Sequence, residues 1–316
     1  MAEVYLSHFA SALGSDAEDL ATAASRGRLT SPADALREAG FARHQVCADG
    51  EDAYALARRC FAASGIEPGR VDCIVYANCI PQNANMAPAA RYAQSRDVKH
   101  LMDFPATRLQ AEFGMDRAFV VGLAQQACTG MLGSVRLARS LLCAEPDLEA
   151  VLCITADRFP PGALYEQAYN LVSDGAAACL VSRTAGGFRY LASKHVTNGA
   201  LGQASDDQTV GGYFTHIHDV VHATLEHAGL TMLDVRFVVP QNTNQKAWHV
   251  LSRLLKLSPE QCFIGPLAEH GHVISADNVM NLAALAKSGR VVRGDRVLTF
   301  MAGFGSHWQC LALECA

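Results

Sequence analysis

The 316-residue sequence predicts an α/β protein made of two similar halves, with two sheets sandwiched between helices. Three observations predict it. Short apolar runs without polar alternation read as strands covered on both faces. These runs follow amphipathic helical patterns, the rhythm of layered α/β domains. Two stretches, Gly65 to Asn78 and Gly229 to Asn242, repeat one layout with the same Gly-to-Asn spacing.

Taken in order, a helical pattern at 52–64 ends at Gly65, a residue suited to a helix C-cap, and a short loop leads to the β-branched run ending at Ala77-Asn78. The segment 81–108 breaks regular periodicity with Pro81, Pro88 and Pro105 and reads as an excursion covering a site or a partner. Residues 118–123 read as a buried strand, 131–142 as a helix and 151–155 as a strand. The softest boundary, Arg183-Thr184-Ala185-Gly186-Gly187, divides the chain into halves 1–186 and 187–316. In the second half the helix of 213–228 leads to the strand ending at Pro240, and the helix of 275–288 leads to a strand at 297–301.

Composition narrows the function. Half the residues are apolar and 18% are charged, as in a compact folded protein, and the net charge of −5 with no basic run argues against a nucleic-acid partner. No apolar run reaches membrane-spanning length and the first residues lack a basic, then apolar, leader; a cytoplasmic location is expected. The 11 cysteines form no CxxC pairs and several lie in strand-like runs, so most are reduced core residues.

Cys128 is different in placement. It lies where the strand of 118–123 turns into the helix of 131–142, and the free N–H groups and dipole of a first helical turn stabilise a thiolate. On position alone a buried structural cysteine is the more frequent explanation. Five motifs in order add to it: Gln126-Ala127-Cys128-Thr129-Gly130, Val172-Ser173-Asp174-Gly175, Pro240-Gln241-Asn242-Thr243-Asn244, His270-Gly271-His272 and Gly303-Phe304-Gly305. Together they resemble the signatures of the ketoacyl synthase III family over nearly the whole chain. The resemblance implies a thiolase fold in a five-layered αβαβα arrangement, a homodimer, no metal or redox cofactor, and an acyl thioester donor, either acyl-CoA or an acyl carrier protein. It also implies an oxyanion hole from the backbone amides of Cys128 and Gly305.

Two positions depart from the condensing members. Where they carry His directly after the Pro of the Pro240–Asn244 motif and Asn after Gly271, this chain has Gln241 and His272. Glutamine exchanges no proton near neutral pH and histidine does, so acid–base work falls to His272. Asp277 either orients that imidazole or caps its own helix. The combination resembles a subgroup of ketoacyl synthase III-like acyltransferases of secondary metabolism, which use Cys, His and Asp to acylate an alcohol or amine. Gln241 and Asn244 are further catalytic candidates as amide donors, and Asn242, Phe304, Phe104, Arg37 and Arg43 are substrate-binding candidates, with Phe104 reaching across a dimer and the arginines meeting the donor's phosphates.

The expected reaction is loading of an acyl group onto Cys128 and transfer to a hydroxyl or amine. Decarboxylative Claisen condensation with a malonyl-type thioester, or a non-catalytic partner subunit, are the alternatives. His216, His218, His222 and His227 crowd one helix, but no HExxH accompanies them; an entrance role beside Tyr213 and Phe214 is expected instead of a metal.

Overall fold

The computed structural model describes all residues except Met1, Ala2, Ala168, Tyr169, Ala204, Ser205 and Gly305. The chain opens with β1 (Tyr5–Leu13), β2 (Asp16–Asp19), α1 (Leu20–Ser25), α2 (Ala33–Glu38) and β3 (Arg43–Val46). Then come α3 (Ala53–Ala62), β4 (Cys73–Ala77), α4 (Pro81–Ala84), α5 (Ala89–Ser95), α6 (Pro105–Glu112) and β5 (Phe119–Leu123). α7 (Gly130–Ala144), β6 (Ala150–Asp157), β7 (Glu166–Gln167), β8 (Asn170–Leu171) and β9 (Gly175–Ser182) follow. Beyond them lie β10 (Phe188–Thr197), α8 (Asp206–Ala228), β11 (Val235–Pro240) and α9 (Gln245–Leu254). The chain ends with α10 (Leu267–His270), α11 (Asp277–Lys287), β12 (Arg296–Gly303) and β13 (His307–Cys315).

The two expected sheets are joined into one. Nine strands run β11-β12-β13-β10-β1-β9-β6-β4-β5, and the seam between the half-sheets is the short antiparallel pairing of Tyr5 with Arg189 and Leu6 with Phe188. Each half keeps its own parallel part, β4 with β5 and β6 on one side and β11 with β12 on the other.

Strand alternation explains the layers. On β4 and β6, Cys73, Val75, Val151 and Cys153 face one apolar cluster, whereas Ile74, Tyr76, Leu152 and Ile154 face another beneath α3 and α6. On β11 and β12, Phe237, Val239, Val297 and Met301 turn into the same central cluster, and Val238, Leu298 and Phe300 pack outward under α8 and α9. Because a strand's side chains alternate by two, each run must be apolar on every residue to be covered on both faces. Helices α7 and α11 fill the middle layer, which gives the αβαβα order. Asp52 caps α3 through its carboxylate to Ala55 N at 2.8 Å.

One strand departs from expectation. Residues 118–123 were expected to be buried, yet β5 is the free edge of the sheet, pairs with β4 alone, and leaves Phe119 41% exposed. An apolar run is consistent with burial against something other than its own chain. The excursion at 81–108 likewise exposes Met86, Val98, Leu101, Met102 and Phe104.

Leu285 on α11 is fully buried in the central cluster and Leu233 is 96% exposed. Leu285→Ala is expected to lower the urea-unfolding free energy by about 2–5 kcal/mol, and Leu233→Ala to change it by no more than about 0.5 kcal/mol.

Candidate active site

The duplication brings two sister turns together at the centre. A single 3-10 turn, Ala127–Thr129, precedes α7, and another, Ile274–Ala276, precedes α11. Each begins on a non-glycine residue with positive φ, Ala127 at 46° and Ile274 at 49°. For a β-branched isoleucine this is a strained backbone, held only where the surroundings fix it. Cys128 and Ser275 therefore occupy equivalent places, and the Ser275 hydroxyl donates to Ala127 O at 3.0 Å, tying one turn to the other.

Cys128 is buried at the first turn before α7. The first bond within that turn runs from Thr129 N to Gln126 O at 3.0 Å, one residue beyond the Cys128 N–H. Gln126 is fixed by Gln309, whose amide donates to its side-chain oxygen at 2.7 Å. Gly303 at the end of β12 lies against the turn so closely that a Cβ there would meet Cys128 N at 3.1 Å. Glycine is required because the cysteine turn sits on its backbone.

His272 reaches the same place from the other half. Gly271, at φ 58°, passes Leu171 so closely that a Cβ would lie 2.4 Å from its carbonyl oxygen. The His272 and Ser173 amides then bond across to Leu171 O and His272 O at 2.8 and 2.9 Å. The Val172-Ser173-Asp174 stretch thus anchors the histidine. Asp174 is a buried acceptor for Cys47 N, Phe159 N and Tyr165 Oη.

Asp277 orients His272. Its Oδ2 lies 2.5 Å from Nδ1 and also accepts Asn242 N at 2.8 Å, while Oδ1 accepts Val273 N at 2.7 Å. With Nδ1 facing the carboxylate, Nε2 is left for Cys128. Burial opposes a charge on the imidazole, yet the Asp277 carboxylate and the Cys128 sulfur outweigh it and hold the histidine up to about 10. The Cys128 thiol is held well below its ordinary range by a hydrogen bond from Cys79 and by His272, against its own burial. The resting pair is a thiolate facing an imidazolium.

The pair opens into a cavity of about 410 Å³ walled by Ile80, Phe159, Leu164, Val172, Ile274 and Phe304. Its apolar lining suits a hydrocarbon chain beside a thioester carbonyl. Asp157, buried at the end of β6, holds one wall by accepting from Cys79 N, Ile80 N and Asn83 Nδ2 at 2.9, 2.9 and 3.0 Å; burial pushes it up to about 7.

Of the candidates named from the sequence, the structure brings together Cys128, His272, Asp277 and, at the rim, Phe304. Others are corrected. Gln241 does not face the cavity: its side-chain oxygen accepts Ala302 N at 2.6 Å, so it ties β11 to the end of β12. Asn242 is not a substrate contact; its amide donates to Gly271 O at 2.8 Å and its oxygen accepts from Asn281 at 3.0 Å, bracing the loop before His272. Asn244 caps α9 through Ala247 N at 2.9 Å, and its own backbone N–H bonds to Asn170.

Arg37 pairs with Asp34, and Arg43 with Glu269 at 3.2 Å, both on the surface away from the cavity. Phe104 is 53% exposed in a separate groove with Tyr76, Val120 and Leu123 beside the β5 edge. Gly305 lies outside the described residues. The entrance role of α8 is also corrected: His216 stacks on Trp308 at 4.4 Å and bonds to Asn198, and neither Tyr213 nor Phe214 walls the cavity. His218 and His222 stack at 4.3 Å, and among the described residues no group of three or more ligand-type side chains could hold a metal.

Sequence reading missed Cys79, Asp157 and Ser275. Their one signal is position: Cys79 and Asp157 lie at the carboxyl ends of β4 and β6, the end where open α/β sheets place their sites.

The comparisons agree with this architecture. The model of 3-oxoacyl-[acyl-carrier-protein] synthase III matches residues 124–199 and the model of its C-terminal part matches 225–315. Proteins named beta-ketoacyl-[acyl-carrier-protein] synthase III from Desulfotalea psychrophila and Brucella canis are 24% and 25% identical, over 85% and 86% of this chain and 86% and 87% of theirs. Among solved structures, the acyltransferase ChlB3 superposes with a TM-score of 0.82 at 19% identity, covering 99% of this chain and 98% of its own. The synthase III of Aquifex aeolicus gives 0.76 at 19%, covering 98% and 99%. A Xanthomonas campestris OleA variant gives 0.79 at 13%, covering 99% and 98%.

Asp277→Asn removes the strongest group that raises His272. A histidine whose folded value is raised above the unfolded 6.5 contributes stability that is complete below that pH and lost as pH rises through about 10. The His272 titration followed by NMR is expected to move down in the variant. Its stability deficit relative to the native chain is then largest below about pH 6.5 and shrinks as pH rises towards about 10.

Proposed function

The chain belongs to the thiolase-fold ketoacyl synthase III family, and from that premise we propose that it is an acyltransferase that moves an acyl group from a thioester, through Cys128, to a hydroxyl or amine acceptor. The observation that carries this is the fixed His272–Asp277 pair sharing one apolar cavity with Cys128. Gln241 and Asn244, the other polar residues of the corresponding motif, are engaged in the scaffold, so one imidazole supplies the proton chemistry.

In the first half-reaction the Cys128 thiolate attacks the donor carbonyl, with negative charge developing beside the amides of the Cys128 turn. The donor's C–S bond breaks, and its leaving thiolate takes the imidazolium proton. An acyl-cysteine and a neutral His272 remain. In the second, His272 takes the proton of the incoming hydroxyl or amine, the new C–O or C–N bond forms, and Cys128 leaves as the thiolate beside a restored imidazolium. The reaction needs only protein groups and the two substrates.

The donor in this reading is acyl-CoA or an acyl-carrier-protein thioester, the partner printed in the relatives' names. A second copy of the chain covering the β5 edge and the exposed Phe104, Phe119 and Met102 completes it as a homodimer. No helix among the described residues is long and apolar enough to cross a membrane, and the cytoplasmic location expected from the sequence belongs to the same proposal.

Condensation is the second reading, favoured by the synthase names of the curated relatives. It requires donors for a malonyl-derived enolate, and Asn242 and Asn244 do not supply them here.

Intact mass spectrometry after incubation with a panel of acyl-CoA, malonyl-CoA and carrier-protein thioesters separates the readings. An acyl adduct is expected on the native protein and not on Cys128→Ala, and His272→Ala is expected to slow acceptor acylation about 10²–10⁴-fold. Consumption of malonyl thioester with release of carbon dioxide would instead establish condensation. No adduct with any donor would leave a non-catalytic partner subunit.

A further inference from the structure

His44 is a buried titratable group that the proposed reaction does not use. β2 and β3 form a small sheet of their own, in which Glu18 stands directly opposite His44. Alternation along β3 turns His44 and Val46 inward and leaves Arg43 outside. The imidazole is fully buried and packs edge to face on Tyr165, with ring centroids 5.2 Å apart. Its Nδ1 lies 2.8 Å from the Val172 carbonyl oxygen. Because a carbonyl only accepts, Nδ1 carries a proton and donates, in the neutral ring and in the imidazolium alike. Nε2 faces Glu18 Oε2 at 3.5 Å, and the other Glu18 oxygen is held by Arg26 and Arg28.

Val172 is where this imidazole reaches the Cys128–His272 pair. It walls the cavity and lies in a parallel bridge beside His272. The bonds of that bridge run from His272 N to Leu171 O and from Ser173 N to His272 O, one on each side of Val172. Val172 itself uses its amide on Tyr165 O and its carbonyl on His44. β3 follows the same strip: Gln45 N donates to Ser173 Oγ at 2.8 Å, and Gln45 O accepts Asp174 N at 2.9 Å. Phe41, just before β3, packs in one cluster with Leu171 and with Leu267 of α10.

We propose that His44 is a positioning residue for the Cys128–His272 pair: by donating from Nδ1 to Val172 O it fixes the strip 171–173 from which the His272 backbone hangs, and with it the approach of His272 to the nucleophile. The charged and titratable groups around the ring are Glu18 from β2, Arg28 from the loop after α1, Tyr165 just before β7, and Asp174 beyond the Tyr165 hydroxyl. The role rests on the pair itself and holds whichever reaction the pair performs.

The test therefore needs no acyl donor. In the NMR spectrum of the ring nitrogens of the native chain, His44 Nδ1 is expected to carry a slowly exchanging proton, and a bare Nδ1 overturns the proposal. Alkylation of Cys128 by iodoacetamide is then followed across pH, with its peptide resolved by mass spectrometry. His44→Leu removes the donor and is expected to lower the rate near neutral pH about fivefold, the scale of one hydrogen bond, and to move the profile to higher pH, because a displaced His272 holds the thiolate less well. His44→Asn, whose amide nitrogen stands as many bonds from Cβ as Nδ1, is expected to stay near the native profile. Should His44→Leu not fold, His44→Gln, whose donor sits one carbon further out, takes its place with the same expectation. A variant without the donor that loses thermal stability yet keeps the native alkylation profile is a structural brace alone and overturns the proposal. A His44→Asn profile displaced as far as that of His44→Leu or His44→Gln overturns it too.

Discussion

The Asp277 carboxylate is completely buried between the two half-sheets, and a charge at that depth persists only if its oxygens are filled. They are filled by Val273 N, Asn242 N and the His272 ring. The two backbone donors come from the loop before α11 and from the end of β11, so the carboxylate fixes the spacing of two elements as well as the angle of an imidazole. Asn242 in turn is held by Asn281 and holds Gly271 O. These bonds connect one polar chain from Asn281 to His272, and hydrogen bonds in a low-dielectric interior are strong. The histidine can present Nε2 to Cys128 because nothing around Nδ1 is free to move.

Duplication supplies the rest of the geometry. Two copies of a strand, a strained turn and a central helix meet at one point, and each contributes a side chain from the same place in its repeat. In one half that side chain is the nucleophile Cys128; in the other it is Ser275, which binds the Ala127 carbonyl and stabilises the sister turn's positive φ. One copy has become chemical and the other supports it. Strain at Ala127 and Ile274 is compensated by the packing of the turns on each other and on Gly303, which is why this loop accepts no Cβ without displacing Cys128 N.

Much of this was legible in the sequence. The matched Gly-to-Asn segments gave the two halves, and unalternated apolar runs gave strands covered on both faces. Cys128 was legible because a strand-to-helix turn is a specific electrostatic setting, and His272 because it stands in register with the motif while Gln241 exchanges no proton. What could not be read depends on contacts far apart in the chain. Asp277 as cap or orienter is decided by where Asn242 N arrives, 35 residues earlier. The amides of Asn242 and Asn244 look available in a motif and are engaged only when Gly271 O and α9 are in place. β5 reads as buried because an edge strand that meets another surface carries the same apolar composition as an interior one.

The replacement of the strand-end histidine by Gln241 moves the proton chemistry of the site to His272. The imidazole at position 272 holds the proton taken from Cys128, and its capacity depends on Asp277, which raises His272 to about 10. A strongly basic histidine is a good partner for a thiolate in the first half-reaction and a good acceptor of a hydroxyl or amine proton in the second. It is a poorer donor to a departing group, because it gives up its proton reluctantly.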